Sequence, residues 1–156
     1  MQKNTVPALT AFIACGGCLK PDCDYGCTGC DICETVCEKN AITIEFGFAA
    51  RVKEQLCDGC GKCVDECPQK LISLRIKGNR FYVRCASADS AADTKAKCAV
   101  GCVGCGLCAR LCPASAISIE NGRAKIDDTL CLNCGLCAAR CPRHAIGDSA
   151  GILAHN

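Results

Sequence analysis

Apolar and polar residues alternate along this chain only in short stretches. Segments 41–45, 71–77, 80–84, 116–120 and Arg123–Ile126 read with a period of two and predict strands long enough for hairpins but not for a large sheet. Asn121-Gly122 supplies a two-residue turn between the last two segments, and Gly78-Asn79 predicts a turn of the same kind between 71–77 and 80–84. Helical spacing is confined to Lys62–Glu66, Leu107–Leu111 and Leu136–Arg140, each a single turn leading into a cysteine. Pro68, Pro113 and Pro142 follow those cysteines at once and lack the amide that a continuing helix needs. Residues 85–97 are small and polar and predict a linker or the start of a helix near 89–97, while the tail, 147–156, is expected to be loosely held. The apolar stretch 6–14 has neither the length nor the cleavage pattern of a secretory signal, and no run of 18 apolar residues exists, so no membrane span is expected.

The segments recur with a shift of 74 to 75 residues. Cys23-Asp-Tyr-Gly-Cys27-Thr-Gly-Cys30-Asp-Ile-Cys33 aligns with Cys98-Ala-Val-Gly-Cys102-Val-Gly-Cys105-Gly-Leu-Cys108, and Leu56-Cys57-Asp-Gly-Cys60-Gly-Lys-Cys63 with Leu130-Cys131-Leu-Asn-Cys134-Gly-Leu-Cys137. An internal repeat sets the architecture before any other feature does. The expected fold is α+β, a tandem of duplicated modules with short hairpins and short helices, divided into residues 1–76 and 77–156.

That expectation rests on cysteine. Sixteen of the 21 cysteines fall into four copies of C-x2-C-x2-C-x3-C. This is the bacterial ferredoxin run, in which three thiolates hold one iron-sulfur cube and the fourth reaches to the neighbouring cube, so the duplicated units are expected to be bacterial ferredoxin-like two-cluster modules. The predicted ligand sets are therefore Cys27, Cys30, Cys33 and Cys67; Cys57, Cys60, Cys63 and Cys37; Cys102, Cys105, Cys108 and Cys141; and Cys131, Cys134, Cys137 and Cys112. Five cysteines remain: Cys15, Cys18, Cys23, Cys85 and Cys98. Cys15, Cys18 and Cys23 have the spacing of three ligands of a fifth [4Fe-4S] cluster, which Cys85 or Cys98 would complete; the alternative is a set of buried free thiols acting as small hydrophobes. Structural zinc usually takes two separated cysteine pairs rather than four cysteines in one run. A disulfide framework fits poorly with an odd total of 21 and with thiols spaced for metal. His144 and His155 are expected at the surface rather than among the ligands.

Composition agrees. The chain has no Trp and only 4% aromatic residues, so a core of side chains alone would be thin. The clusters are expected to form the core, with folding coupled to their insertion. The formal charge of +2 counts neutral thiols; each oxidised cube with its four thiolates adds about -2, so four would leave the protein near -6. Thiols in this number predict a reducing compartment, the cytoplasm of an anaerobe. No dinucleotide fingerprint, phosphate loop or nucleophile with its base occurs, so no catalytic site is expected and chemistry is left to a partner. The function expected is electron relay, by a subunit docked to a flavin-containing or other redox enzyme; the alternatives are a diffusible polyferredoxin and a structural metal-binding module. No nucleic-acid partner is expected.

The segment Val83-Arg-Cys-Ala-Ser-Ala-Asp-Ser with Cys98-Ala-Val-Gly-Cys-Val-Gly-Cys-Gly-Leu-Cys-Ala-Arg-Leu-Cys-Pro resembles the C-terminal polyferredoxin region of the B subunit of the Rnf ion-translocating complex. Cys23-Asp-Tyr-Gly-Cys27 with Cys33 and Cys37 resembles an upstream module of the same family, and Cys15-Gly-Gly-Cys18-Leu-Lys-Pro-Asp-Cys23 echoes the spacing that opens its separate cysteine-rich domain. The resemblance covers residues 11–147 and implies a subunit relaying electrons between ferredoxin-like donors, flavin and a nicotinamide pool. It departs at Glu38, where the family usually has proline after the fourth cysteine, and at Cys30, often not cysteine there. With no counterpart here of the family's membrane helix, the resemblance implies a soluble relative serving a cytoplasmic flavoenzyme.

Overall fold

The computed structural model describes residues 7–15, 23–46 and 48–152. Its elements run β1 (Leu9–Ile13), α1 (Ile32–Thr35), β2 (Ile42–Thr43), β3 (Arg51–Val52), α2 (Lys62–Glu66), β4 (Ile72–Ile76), β5 (Phe81–Val83), α3 (Ala91–Lys97), α4 (Leu107–Leu111), β6 (Ile117–Glu120), β7 (Arg123–Ile126), α5 (Leu136–Arg140) and β8 (Ile146–Asp148). The three predicted helical turns form with the predicted bounds, and Asn121-Gly122 turns β6 back onto β7, with Ile117 opposite Ile126 and Glu120 opposite Arg123.

The strands pair in a nested order. β1 lies antiparallel to β4, from Leu9 opposite Ile76 to Ile13 opposite Ile72, and encloses the short pair β2 and β3. β5 pairs with β8, Phe81 opposite Asp148 and Val83 opposite Ile146, and encloses β6 and β7. Two expectations are corrected by this pairing. Gly78-Asn79 is not the tip of a hairpin between the flanking segments, because the apolar faces of β4 and β5 are each covered by a more distant strand: Ile72 is buried with Ala11 and Ile13, and Phe81 with Ile146. The tail is likewise not loose at its start, since residues 146–148 form β8 and the Asp148 carboxylate takes a bidentate hydrogen bond from the Arg80 guanidinium, at 3.1 and 2.7 Å.

The turn at 78–79 serves as a joint. The Gly78 amide donates to Glu54 Oε1 at 2.7 Å, and the Arg75 guanidinium donates to the Asn79 carbonyl and stacks over the Tyr82 ring at 4.8 Å. Asp128 of the second half accepts the Ile76 amide at 2.9 Å, and within that half its carbonyl accepts Asn79 Nδ2 at 2.8 Å. Phe12 packs against Tyr82 with ring centroids 5.8 Å apart. Buried or charge-assisted bonds of this kind are the stronger ones, so the two halves meet through a fixed contact rather than a flexible tether.

Cysteine is part of each core. One buried cluster joins Ala11, Ile13, Ile42, Leu71 and Ile72 to Cys33, Cys63 and Cys67; the other joins Phe81, Ile117, Ala124, Ala138 and Ile146 to Cys108 and Cys137. Phe81, at 2% exposure, is the largest side chain fully enclosed among the described residues, worth about 1.5–3 kcal/mol on burial. The thin aromatic content leaves the remaining interior to aliphatic side chains and sulfur.

Candidate metal centres

Each C-x2-C-x2-C-x3-C run folds in one way. The residue before the helix takes a left-handed conformation, Asp31 (φ 61°), Gly61 (φ 81°), Gly106 (φ 73°) or Gly135 (φ 76°). This reversal brings the third cysteine onto the helix, and the third cysteine is buried in all four runs while the second, Cys30, Cys60, Cys105 or Cys134, is exposed. After one turn, Cys67, Cys112 and Cys141 leave the helices in an extended conformation, and the proline that follows enforces the exit. The wrapping also needs close backbone approach. A Cβ on Gly59 would lie 2.6 Å from the Leu9 carbonyl oxygen, and one on Gly104 would lie 2.4 Å from that of Gly122.

Three of the fourth cysteines receive a backbone hydrogen bond from the residue four positions on. The amides of Ala41, Ala116 and Ala145 donate to the sulfurs of Cys37 at 3.3 Å, Cys112 at 3.3 Å and Cys141 at 3.4 Å. Two first cysteines are held from the strands, Cys57 by the Ala11 amide and Cys102 by the Ala124 amide, each at 3.3 Å. Amides aimed at thiolate sulfur stabilise its charge and help set a cluster's potential.

Helix α1 packs on α2 and α4 on α5, bringing the runs together in pairs. One cavity is lined by Cys27, Cys30 and Cys33 together with Cys67 from the next run, and a second by Cys57, Cys60 and Cys63 together with Cys37. In the second half Cys102, Cys105 and Cys108 share a cavity with Cys141. Around Cys137 stand Cys131 and Cys134. Burial pushes the Cys33 thiol up to about 11, and the neighbouring Cys27, Cys30 and Cys67 add to the shift; Cys137 is pushed up to about 11 by burial as well. Cys63 and Cys108 are raised for the same reasons. Thiolates crowded in this way require a compensating positive charge, which is what iron supplies when it deprotonates its ligands outright.

Among the described residues no group of three or more Cys, His, Asp or Glu side chains closes on a single-ion position. The sulfurs instead surround cavities, an arrangement that fits a polynuclear cluster. His144 lies outside these cavities, and its carbonyl accepts a hydrogen bond from Arg84 Nη2 at 2.8 Å; His155 lies outside the described residues.

Of the five remaining cysteines, Cys15, Cys23, Cys85 and Cys98 line one further cavity between the halves, and Cys18 lies outside the described residues. Their convergence is only half legible in the sequence. Spacing relates Cys15, Cys18 and Cys23 to each other, and the repeat relates Cys23 to Cys98, but which remote cysteine meets them depends on how the halves dock.

Family models of the 4Fe-4S dicluster domain match residues 26–72, 56–116 and 101–145. The chain is 41% identical over 117 residues, 75% of its length, to the B subunit of the Na+-translocating ferredoxin:NAD+ oxidoreductase complex of Acetobacterium woodii, of which the match covers 34%. It is 44% identical over 57 residues, 36% of its length, to the B subunit of the ion-translocating oxidoreductase complex of Methanosarcina acetivorans, covering 21% of that protein. The chain thus spans about a third or less of the length of these relatives. Among solved structures, the formate dehydrogenase, heterodisulfide reductase and formylmethanofuran dehydrogenase complex of Methanospirillum hungatei matches at 23% identity and a TM-score of 0.31, covering 78% of this chain and 51% of the matched one. No described helix is long and apolar enough to cross a membrane. With dicluster models on both halves and thiols gathered around cavities, the chain is a tandem of 4Fe-4S dicluster ferredoxin domains, an iron-sulfur electron-transfer protein similar to the B subunits of the ion-translocating oxidoreductase complexes.

Proposed function

We propose that the chain is an electron wire, a subunit that carries electrons through [4Fe-4S] clusters between a ferredoxin-like or flavin-bearing partner and a larger redox assembly on the cytoplasmic side. The observation that carries this reading is the crossed grouping of sulfurs, in which Cys67 joins Cys27, Cys30 and Cys33 while Cys37 joins Cys57, Cys60 and Cys63. Crossing forces two cofactors into one small module, and electron hopping depends steeply on such closeness. The same rule assigns Cys141 to Cys102, Cys105 and Cys108, and Cys112 to Cys131, Cys134 and Cys137, which makes residues 1–76 and 77–156 two modules derived from one duplication.

The clusters would supply one-electron redox chemistry. The chain supplies their setting: amides on sulfur, a buried third cysteine, and an exposed second cysteine that offers each site one face toward a partner. Catalysis lies with that partner. The activities of the relatives, ferredoxin:NAD+ oxidoreduction and ion translocation by a complex, support a docked subunit over a free carrier. Anaerobic purification from the native host followed by iron, sulfide and flavin analysis tests this. Co-elution of the chain with a flavoprotein at constant ratio is expected; a monomer reduced at equal, salt-sensitive rates by several unrelated donors would replace the wire with a diffusible polyferredoxin.

A further inference from the structure

The four described cysteines outside the runs come from four separate places in the fold. Cys15 follows β1 by two residues and Cys85 follows β5 by two, so they leave equivalent strands at equivalent points. Cys23 and Cys98 each stand four residues before the first cysteine of a run, with Gly26 and Gly101 between. A Cβ on either glycine would lie 3.6 Å from the sulfur of its own preceding cysteine, so both thiols are presented by the same backbone turn. All four side chains line one cavity at the seam between the halves.

The surroundings are built rather than incidental. Helix α3 is capped by Ser90, whose hydroxyl accepts the Asp93 amide at 3.1 Å, and it ends on Cys98. The Arg143 guanidinium grips the carbonyls of Cys98 and Gly101. Lys97 ties Asp89, at 2.9 Å, to Asp24 beside Cys23, at 3.8 Å, across the seam. Arg84 also lines the cavity, and its Nε is buried without a hydrogen-bond partner. An arginine in the wall adds positive charge beside the four thiols, which suits a negatively charged sulfur-rich ligand.

We propose that Cys15, Cys23, Cys85 and Cys98 hold a fifth iron-sulfur cube that bridges the two modules. This deepens the electron-wire reading and rests on it. The cube's neighbours are set by the chain: Cys27 lies four residues from Cys23 and lines the cavity of the first run, while Cys102 lies four residues from Cys98 and lines that of the third. The fifth site is therefore the relay between two otherwise separate pairs, and one electron entering either module has a continuous path to the other.

The test is metal and sulfide counting on the full chain purified anaerobically, with Mössbauer spectra to give the cluster type. About 20 irons and 20 sulfides per chain are expected, falling by one fifth, to about 16, in the Cys85→Ala/Cys98→Ala double variant and staying near 20 in Cys18→Ala. A wild-type count of about 16 overturns the fifth cube and leaves the wire intact. A full count unchanged in the double variant, or lowered in Cys18→Ala, overturns this ligand set. Stoichiometric zinc with little iron sinks the electron-wire reading itself. Should the double variant lose all its iron by failing to fold, the wild-type count still decides.

Discussion

The second run of each module meets the same neighbour by different means. In residues 57–67 the third position is Gly59, and the backbone entering β1 presses so close that a Cβ would stand 2.6 Å from the Leu9 carbonyl oxygen. In residues 131–141 the equivalent position is Asn133, held at φ 55°, and the chain entering β5 is met by its side chain: Oδ1 accepts the Arg80 amide at 2.8 Å and Nδ2 donates to Asn79 Oδ1 at 2.9 Å. One clamp works by contact and the other by hydrogen bonds. The first requires the absence of a side chain and the second requires a particular one. Asparagine is among the few residues that tolerate the left-handed backbone while offering both a donor and an acceptor. The difference shows that the loop around a cluster site is fixed by its distance to the adjoining strand, and that the second module uses the slack to fasten the joint between modules.

The most severe way to break the comparison is to remove what both clamps enclose. Anaerobic iron chelation should unfold both modules together, with loss of near-UV and most far-UV circular dichroism, because sulfur sites occupy both cores. A cooperative, native-like transition in the metal-free chain would show that the clamps hold without clusters. Next in size is Gly59→Ala, which places a methyl group against the Leu9 carbonyl in a left-handed backbone. It should cost about 2–4 kcal/mol, read as a large drop in melting temperature and as faster bleaching by chelator. Asn133→Ala should cost less, about 1–2 kcal/mol, since two hydrogen bonds are lost without a collision, and Asn133→Gly should recover part of it by easing the backbone. Equal losses at the two positions would mean that the clamps do not differ. The smallest expected effect is a gain: Asp31→Gly at the start of α1 relieves a left-handed non-glycine residue where the other three runs have glycine, raising stability by up to about 1 kcal/mol. A fall in melting temperature would point to a role for the Asp31 carboxylate itself.

The local pieces are legible because cysteine spacing and proline punctuate them. The turns 62–66, 107–111 and 136–140 need only the run and the proline, both visible in the chain. Helix α1 escapes a reading of the sequence because its run lacks the proline, with Glu38 after Cys37, and because Asp31 replaces the glycine that marks the other three starts. Strand pairing is misleading at Gly78-Asn79, where a turn signal weaker than Asn121-Gly122 competes with burial of Ile72 and Phe81 against strands far away along the chain. Such long-range pairing leaves no mark in local alternation, since β1 and β8 are short and carry mixed faces. The seam cavity is only partly legible for the same reason: spacing relates Cys15 to Cys23 and the repeat relates Cys23 to Cys98, whereas docking of the halves decides which remote cysteines join them.

The hydrogen bonds on sulfur have an evolutionary side. Those given by Ala11, Ala41, Ala116, Ala124 and Ala145 all come from main-chain amides, and an amide is present whatever side chain its residue carries. All five are alanines at 4% exposure or less, so a larger side chain there would strain the interior packing, yet it would leave the donor in place. Only proline erases one. The donors on Cys37, Cys57, Cys102, Cys112 and Cys141 thereby survive any single substitution but proline, while the outer face stays open to remodelling for a partner.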